Sequence, residues 1–252
     1  MKRRQTIDNL LARKLGQVIR LSATDLHLLD GLVEGSYEVA HGEDIIKQGD
    51  TPRFVHLVLD GVVCRNKVLP NGDRAIVGLL LPGDLCDLHI AILGRMDHNI
   101  SALSDCRIVD IPHRKVAEMT SNSRQLSMAL WWATLVDEAI LREWLVGLGR
   151  RRADRRAAHL LCEILARLEA VGRGQDRMVP LGHQQLADVL GITSVHLHRV
   201  LGVLKSRDLI AQQDRRILVT DMAGLRDYGQ FDPDYLHQDD NLSPLAEWVL
   251  AG

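Results

Sequence analysis

Thr193, Ser194, His196, His198 and Arg199 bring five polar side chains into seven residues, threaded on leucines and valines at helical spacing. Hydroxyl and imidazole groups can donate or accept, and a guanidinium can make the paired contact that guanine offers in a DNA major groove. Val195 can offer only an apolar contact, such as one to a thymine methyl. These groups read a duplex together only if one helix presents them, and the surrounding residues supply the frame. Leu186, Leu190, Ile192, Leu197 and Val200 are apolar positions that would pin two helices together. Ala187 is the small residue needed where the helices cross, and Gly191, four residues on, can take the positive φ of the turn. Thr193 can cap the second helix. The spacing predicts a helix-turn-helix over 183–205, with an ordinary helical hairpin as the plainer alternative. Beyond Lys205, the runs Leu209-Ile210 and Ile217-Leu218-Val219 flank polar Gln213-Asp214-Arg215-Arg216, which predicts a two-stranded wing. Lys205, Arg215 and Arg216 are then candidates for phosphate contact.

Charge is distributed to match. The chain of 252 residues has a formal net charge of −2. Residues 150–220 carry 13 basic and 7 acidic side chains, net +6, whereas residues 221–252 carry 1 basic and 7 acidic, net −6. A basic segment of this size suits a polyanion, although arginines also solvate ordinary helices.

Upstream, the pattern is that of many short strands. Phe54–Leu59 and Val62–Arg65 flank Asp60-Gly61, and Pro70-Asn71-Gly72-Asp73 separates Val68-Leu69 from Ala75-Ile76-Val77. Both read as hairpins. Pro82-Gly83-Asp84 ends the next strand and 100–111 supplies another, which together predict a β-roll or barrel. Residues 8–33 read as helical, with Leu10, Leu11, Leu15, Val18 and Ile19 at helical spacing and Ser22 and Asp25 as the capped start of a short second helix. A long helix is expected over 121–149, where Leu126, Leu130, Ala133, Ile140 and Trp144 recur at helical intervals while Trp131, Trp132, Leu135 and Leu145 fall on other faces. A helix apolar on more than one face must bury more than one, so it is expected to pack on the roll and on a second copy of itself, with a core helix of a monomer as the plainer alternative. Asp137 interrupts the stripe. Another amphipathic helix is expected over 150–171.

The expected organisation is therefore α+β: residues 1–120 a sensor-like β-roll with N-terminal helices, 121–149 a dimerisation helix, 150–222 a winged helix-turn-helix and 223–252 an acidic tail. The tail reads as a solvated extension that folds back on the sensor or partner and could compete with DNA for the basic surface, with a disordered tail as the plainer alternative. Cys64, Cys86, Cys106 and Cys162 are scattered without a CxxC pair and read as buried small hydrophobes. No apolar run approaches the length of a membrane span, and Met1–Asp8 is followed by no signal-peptide core, so the cytoplasm is the expected compartment.

With roll, long helix and winged helix-turn-helix in this order, residues 21–222 resemble the Crp/Fnr superfamily of bacterial transcription regulators. The resemblance is carried by Leu186-Ala187-Asp188 through Arg199 and by Leu209-Ile210, and Thr193–Arg199 is most like a branch in which a Val-His pair opens the recognition helix. It implies a non-enzymatic homodimer with a cyclic-nucleotide-binding-like roll, bound to a two-fold related DNA site and working with RNA polymerase. It also implies a sensor that signals through the long helix. Arg199 matches the family's recognition-helix arginine, whereas Ser194 and Val195 stand where the best-known members place charged base readers. The sensor departs further. After Gly83-Asp84 come Leu85-Cys86-Asp87-Leu88-His89, and Gly94-Arg95-Met96-Asp97-His98-Asn99 stands where cyclic-nucleotide binders carry their arginine trio. An aspartate facing a phosphate repels it, which speaks against cyclic AMP, although Arg95 lies beside the expected position. The effector is left unidentified, with Asp84, Cys86, Asp87, His89, Arg95, Asp97 and His98 as pocket candidates and no cofactor or metal expected. A haem sensor would need an axial histidine such as His89 or His98, and residues 1–63 hold no cysteine for an N-terminal iron–sulfur cluster. The competing readings are a cupin-like metal enzyme using His41, His56, His89 and His98, which lacks the usual His-x-His pair, and a ligand-binding subunit without a DNA role.

Overall fold

The computed structural model describes residues 9–33, 35–213 and 216–238. Two short helices open the chain: α1 (Leu10–Leu15), capped by Asn9, and α2 (Ala23–Asp30), whose Ser22 and Asp25 form a capping box. Gly16 and the residues after it separate them, and α2 starts at the Ser22–Asp25 cap expected for a second helix.

The roll consists of two antiparallel sheets. One has the order β1 (Tyr37–Val39), β7 (Cys106–Pro112), β3 (Phe54–Asp60). The other runs β2 (Asp44–Ile46), β6 (Asn99–Ala102), β4 (Val63–Val68), β5 (Arg74–Leu80). Val39, Ile46, Val58, Val63, Leu80, Cys86, Ile90, Met96, Ile100, Ala102, Cys106 and Ile108 form one buried cluster of the roll. Pro70–Asp73 closes a true hairpin, since Val68 pairs Arg74 across β4 and β5. Asp60-Gly61 does not: β3 pairs β7, β4 pairs β5 and β6, and the turn carries the chain from one sheet to the other. Gly61 is required there, because its φ is +83° and a Cβ would stand 2.4 Å from the Asp105 carbonyl oxygen. The strand expected over 100–111 is likewise two strands, β6 and β7, placed in different sheets.

A short helix, α3 (Ile90–Leu93), interrupts the roll, and α4 (His113–Asn122) follows it. Ser123 ends α4 and caps α5 (Arg124–Arg150), its hydroxyl accepting from the Leu126 amide. The 27-residue α5 buries Leu126, Ala129, Leu130, Trp132, Val136 and Ile140. Asp137 does not break this inward side: it pairs Arg65 of β4 at 2.8 Å. Arg65 also donates to the Cys86 carbonyl at 3.1 Å, joining the roll to the long helix.

Helix α6 (Ala153–Ala170) is the centre of the C-terminal half, with every residue from Ala157 to Leu168 buried. Behind the helix-turn-helix and the wing, α9 (Met222–Gly229) and a 3-10 turn (Pro233–Leu236) pack back on α6. Phe231 is 7% and Leu236 0% exposed. Residues 222–236 are therefore a folded part of this half rather than a solvated extension, because their apolar side chains Leu225, Phe231 and Leu236 have a groove to fill. The rest of the expected tail, with Leu245–Leu250, lies outside the described residues.

Buried charges tie these parts together. Asp84, at the turn after β5, accepts from Lys14 of α1 at 2.5 Å, from Arg167 of α6 at 2.7 Å and from the Leu81 amide at 2.8 Å. Arg167 also donates to Glu163 at 3.1 Å. Glu163 in turn accepts from Trp144 of α5 at 3.0 Å and from Tyr235 at 2.9 Å. Burial alone would raise the Asp84 pKa, but the two cations outweigh it and hold the carboxyl well below its ordinary value. Burial likewise raises Glu163, against the pull of Arg167. Asp84→Asn strands Lys14 and Arg167, and losing one partner of such a buried pair costs about 3–5 kcal/mol. A urea titration should show that loss. Because the folded-state pKa of Asp84 lies below 3.8, its contribution is present above that pH and disappears as pH falls through the lower folded value. Acid titration should therefore narrow the gap between the native chain and Asp84→Asn.

Candidate nucleic-acid interface

Helices α7 (His183–Leu190) and α8 (Ser194–Lys205) meet at 100°, within the range of a helix-turn-helix. Gly191 makes the turn at φ 62° and ψ 38°, its amide bonding back to Ala187 and Asp188. Any β-carbon there would strain the left-handed backbone. Ala187 is 1% exposed. Leu186, Leu190, Leu197, Val200, Leu201 and Leu204 are buried between these helices and α6. Thr193 caps α8 by accepting from the His196 amide at 3.2 Å.

This packing leaves one side of α8 in solvent. Thr193, Ser194, Val195, His196, His198 and Arg199 are all exposed, Val195 at 65%. Ser194, Val195, His198 and Arg199 follow an i, i+1, i+4, i+5 pattern, so they lie side by side on one face. Ser194 donates to Gln184 at 2.9 Å, tying the first turn of α8 to α7. The His198 ring stands edge-on to His183 at 5.5 Å. Burial, then His198, then Lys205 lower the His183 pKa. Arg199 enters no ion pair among the described residues. Lys205 is turned toward the wing, donating to Gln212 at 2.9 Å. The wing is β8 (Ile210–Gln213) and β9 (Arg216–Val219), and Arg216 is exposed beside its tip. Arg215 lies outside the described residues.

The opposite side of the unit rests on the roll. Arg74 pairs Asp188 of α7 at 2.9 Å, and Gln185 donates to the Leu103 carbonyl at 3.3 Å. Arg156 of α6 donates to the Leu190 carbonyl, at the end of α7, at 2.7 Å. The reading face is thus held at both ends of the first helix. Arg65, Asp137, Arg167 and Glu163 escaped sequence reasoning, because charged residues beside an apolar stripe look like its solvated edge. The fold buries Arg167 and Glu163 and half-buries Arg65 and Asp137.

The seven sensor candidates separate. Asp84 is committed to the buried ion pairs. Cys86 lies in the roll core. Asp87 is buried and holds His56 through the amide at 2.8 Å and the ring at 2.9 Å. Arg95 is exposed and donates to the Gly49 carbonyl at 3.1 Å. Only His89, Asp97 and His98 converge as a possible ligand cluster among the described residues. Burial lowers the pKa of both histidines, with Arg65 adding to the effect. His41 and His56, required by a cupin-like site, stand apart from that group. All four cysteines are free and buried, and burial pushes Cys64 up to about 11.

Comparison with known proteins agrees with this architecture. Residues 37–123 match the cyclic nucleotide-binding domain family and residues 155–228 the Crp-like helix-turn-helix domain family. The chain is 30% identical over 202 residues to the transcriptional activator protein FnrL of Cereibacter sphaeroides, covering 77% of this chain and 79% of that one. It is 29% identical over 171 residues to the nitrogen fixation regulation protein FixK of Bradyrhizobium diazoefficiens, covering 68% and 71%. The structure of FixK2 from Bradyrhizobium japonicum superposes with a TM-score of 0.68 at 23% identity, covering 78% of this chain and 98% of that one. The chain belongs to the Crp/Fnr family: it is a DNA-binding transcription regulator and not an enzyme. Among the described residues no single helix is long and apolar enough to cross a membrane.

The side chains of the reading face separate by expected effect. Arg199→Ala should weaken binding to a selected site by about 1–3 kcal/mol and relax the preference at one base pair. Arg216→Ala should weaken all sequences alike and lower the salt slope by about one per chain. Fluorescence anisotropy on matched and single-mismatch duplexes over a salt series separates the two.

Proposed function

We propose that the chain acts in the cytoplasm as a homodimer on a palindromic DNA site. The two α8 helices enter successive major grooves, and the regulator works with RNA polymerase. The observation that carries this reading is the exposed α8 face, set in a basic segment and held by apolar packing on its other side. His196, His198 and Arg199 supply hydrogen bonds, Val195 an apolar contact, and the N-terminus of α8 with Arg216 supplies phosphate contacts. With Ser194 and Val195 in place of charged readers, sequence choice leans also on DNA shape.

The dimer reading is supported by the outer face of α5. Trp131, Leu135, Leu141, Leu145 and Leu148 are exposed there, at 65%, 51%, 40%, 67% and 61%. They recur at intervals of three, four and six along one flank, with the Glu138–Arg142 pair between them at 3.5 Å. Five large apolar side chains in water on one helix exceed what a monomer surface ordinarily shows. The matching face of a second copy would cover them, and two-fold symmetry would set two recognition helices one helical turn of DNA apart.

A signal received at the roll would reach DNA through two joints of the roll: Arg65–Asp137 to the long helix and Arg74–Asp188 to α7 of the helix-turn-helix. Leu145→Asp places a charge in the proposed seam at its most exposed side chain, 67%. Analytical ultracentrifugation should show a monomer with native circular dichroism, and binding to a palindrome should fall by at least tenfold while weak half-site binding persists. A native chain that sediments as a monomer, or that shows no salt-dependent preference for any genomic fragment, contradicts the reading.

A further inference from the structure

The cluster of His89, Asp97 and His98 lies outside the DNA-reading face and is not used by any of the joints described above. His89 immediately precedes α3, and Gly94 turns the chain back after that helix at φ 76°. Asp97 and His98 then lead into β6. The returning segment is fixed from beneath: Met96 is 2% exposed, its amide donates to the Asp50 carbonyl at 2.9 Å, and its carbonyl accepts from the Gly49 amide at 2.8 Å. One ligand atom from each of the three side chains lies within 4.8 Å of the other two, and the two imidazole rings stand 5.6 Å apart, centroid to centroid.

His98 supplies the second observation. The residue is 8% exposed. Its Nδ1 bonds to Asp97 Oδ1 at 2.6 Å, while its Nε2 is buried and has no partner among the described residues. A carboxylate on Nδ1 fixes the tautomer with the proton there and leaves Nε2 as a bare lone pair. An unsatisfied buried nitrogen is costly, and a cation on it would remove the cost.

We propose that His89, Asp97 and His98 form a binding site for a first-row divalent transition-metal ion of the zinc type, at the base of the roll's α3 loop. Two imidazoles and a carboxylate are a ligand set for such ions, not for the hard cations magnesium or calcium, which take mainly oxygen. Ligands of a tetrahedral zinc stand roughly 3.3–3.5 Å apart. For Asp97 to join His98 Nε2 on one ion, its carboxylate must leave His98 Nδ1, a side-chain rotation that its 73% exposure permits. Asp97 also gives the ion a path from solvent. Lys67, 3.9 Å from Asp97 and 46% exposed, can swing away as the ion enters. Three protein ligands leave a further coordination position for water or a small molecule. The site borders a cavity of about 520 Å³ lined by Leu88, His89, Ile92, Leu93, Leu130 and Trp131 among others. Of the three ligands, His89 is the one that lines this cavity. The proposal gives a ligand to the roll's signalling role, but its test needs no DNA.

The test uses the full chain after chelator treatment, titrated with Zn²⁺ in a calorimeter and with Co²⁺ in a spectrophotometer, with Mg²⁺ as the hard-cation control. The expected result is one Zn²⁺ or Co²⁺ per chain, visible ligand-field bands for Co²⁺, and no comparable Mg²⁺ binding. His89→Gln and Asp97→Asn, both at solvent-accessible positions and so compatible with folding, should each lower Zn²⁺ affinity by at least about tenfold. His27→Gln, an exposed histidine on α2, should leave it unchanged. Zinc no tighter than magnesium, or zinc binding unaffected by both cluster variants, overturns the proposal. So does haem bound in preference to zinc and lost in His89→Gln. Loss of DNA binding with an intact zinc site would count against the regulator reading alone.

Discussion

Everything that positions the reading helix depends on one constraint: four charges that have left water must find each other. Lys14, Asp84, Arg167 and Glu163 come from α1, the roll and α6, and Trp144 and Tyr235 close the network from α5 and the C-terminal turn. A buried ion pair adds little net stability compared with an apolar packing of the same shape, but it is costly to break. Its effect is therefore to fix which surfaces face one another. α6 cannot slide along the roll without stranding Arg167, whose side chain is 7% exposed. Since α7 and α8 pack on α6, the network sets where the exposed face of α8 points.

The second layer of the mechanism is softer. Arg65–Asp137 and Arg74–Asp188 join the roll to α5 and α7 at 2.8 and 2.9 Å, but the Arg74 pair is more than a third exposed and is screened by solvent. It is a weaker contact than those of the buried Asp84 network. A rigid centre with weakly held contacts around it suits a regulator, in which a small energy at one end must alter orientation at the other without unfolding the molecule.

Much of this was legible in the sequence where local rules decide the outcome. Gly191, Ala187 and Thr193 each had a reason to occupy their positions within the helix-turn-helix, and the helices expected over 121–149 and 150–171 lie within a few residues of α5 and α6. What was lost is non-local. Asp60-Gly61 has the composition of a hairpin turn, yet Gly61 is there because the chain passes against Asp105 and Cys106 of a distant strand. Asp137 looked like a flaw in the dimer stripe because its partner, Arg65, lies 72 positions earlier in the chain. The acidic composition of the tail concealed Phe231 and Leu236, whose groove exists only once α6 is in place. In the sensor, seven candidates drawn by position near the Gly83-Asp84 turn included four already engaged in packing or bonding. His89 and His98 were visible only as separate residues until the α3 turn brought them face to face.

The central claim is that the exposed face of α8 reads DNA from the major groove in two symmetric half-sites. Methylation interference on an enriched genomic site tests it most directly, because N7-methyl groups on guanine project into the major groove, where Arg199 would donate. Interference at guanines in two half-sites one helical turn apart, abolished at those guanines in Arg199→Ala, is the predicted result. Binding that tolerates every major-groove guanine methyl, or interference confined to one half-site, would contradict it.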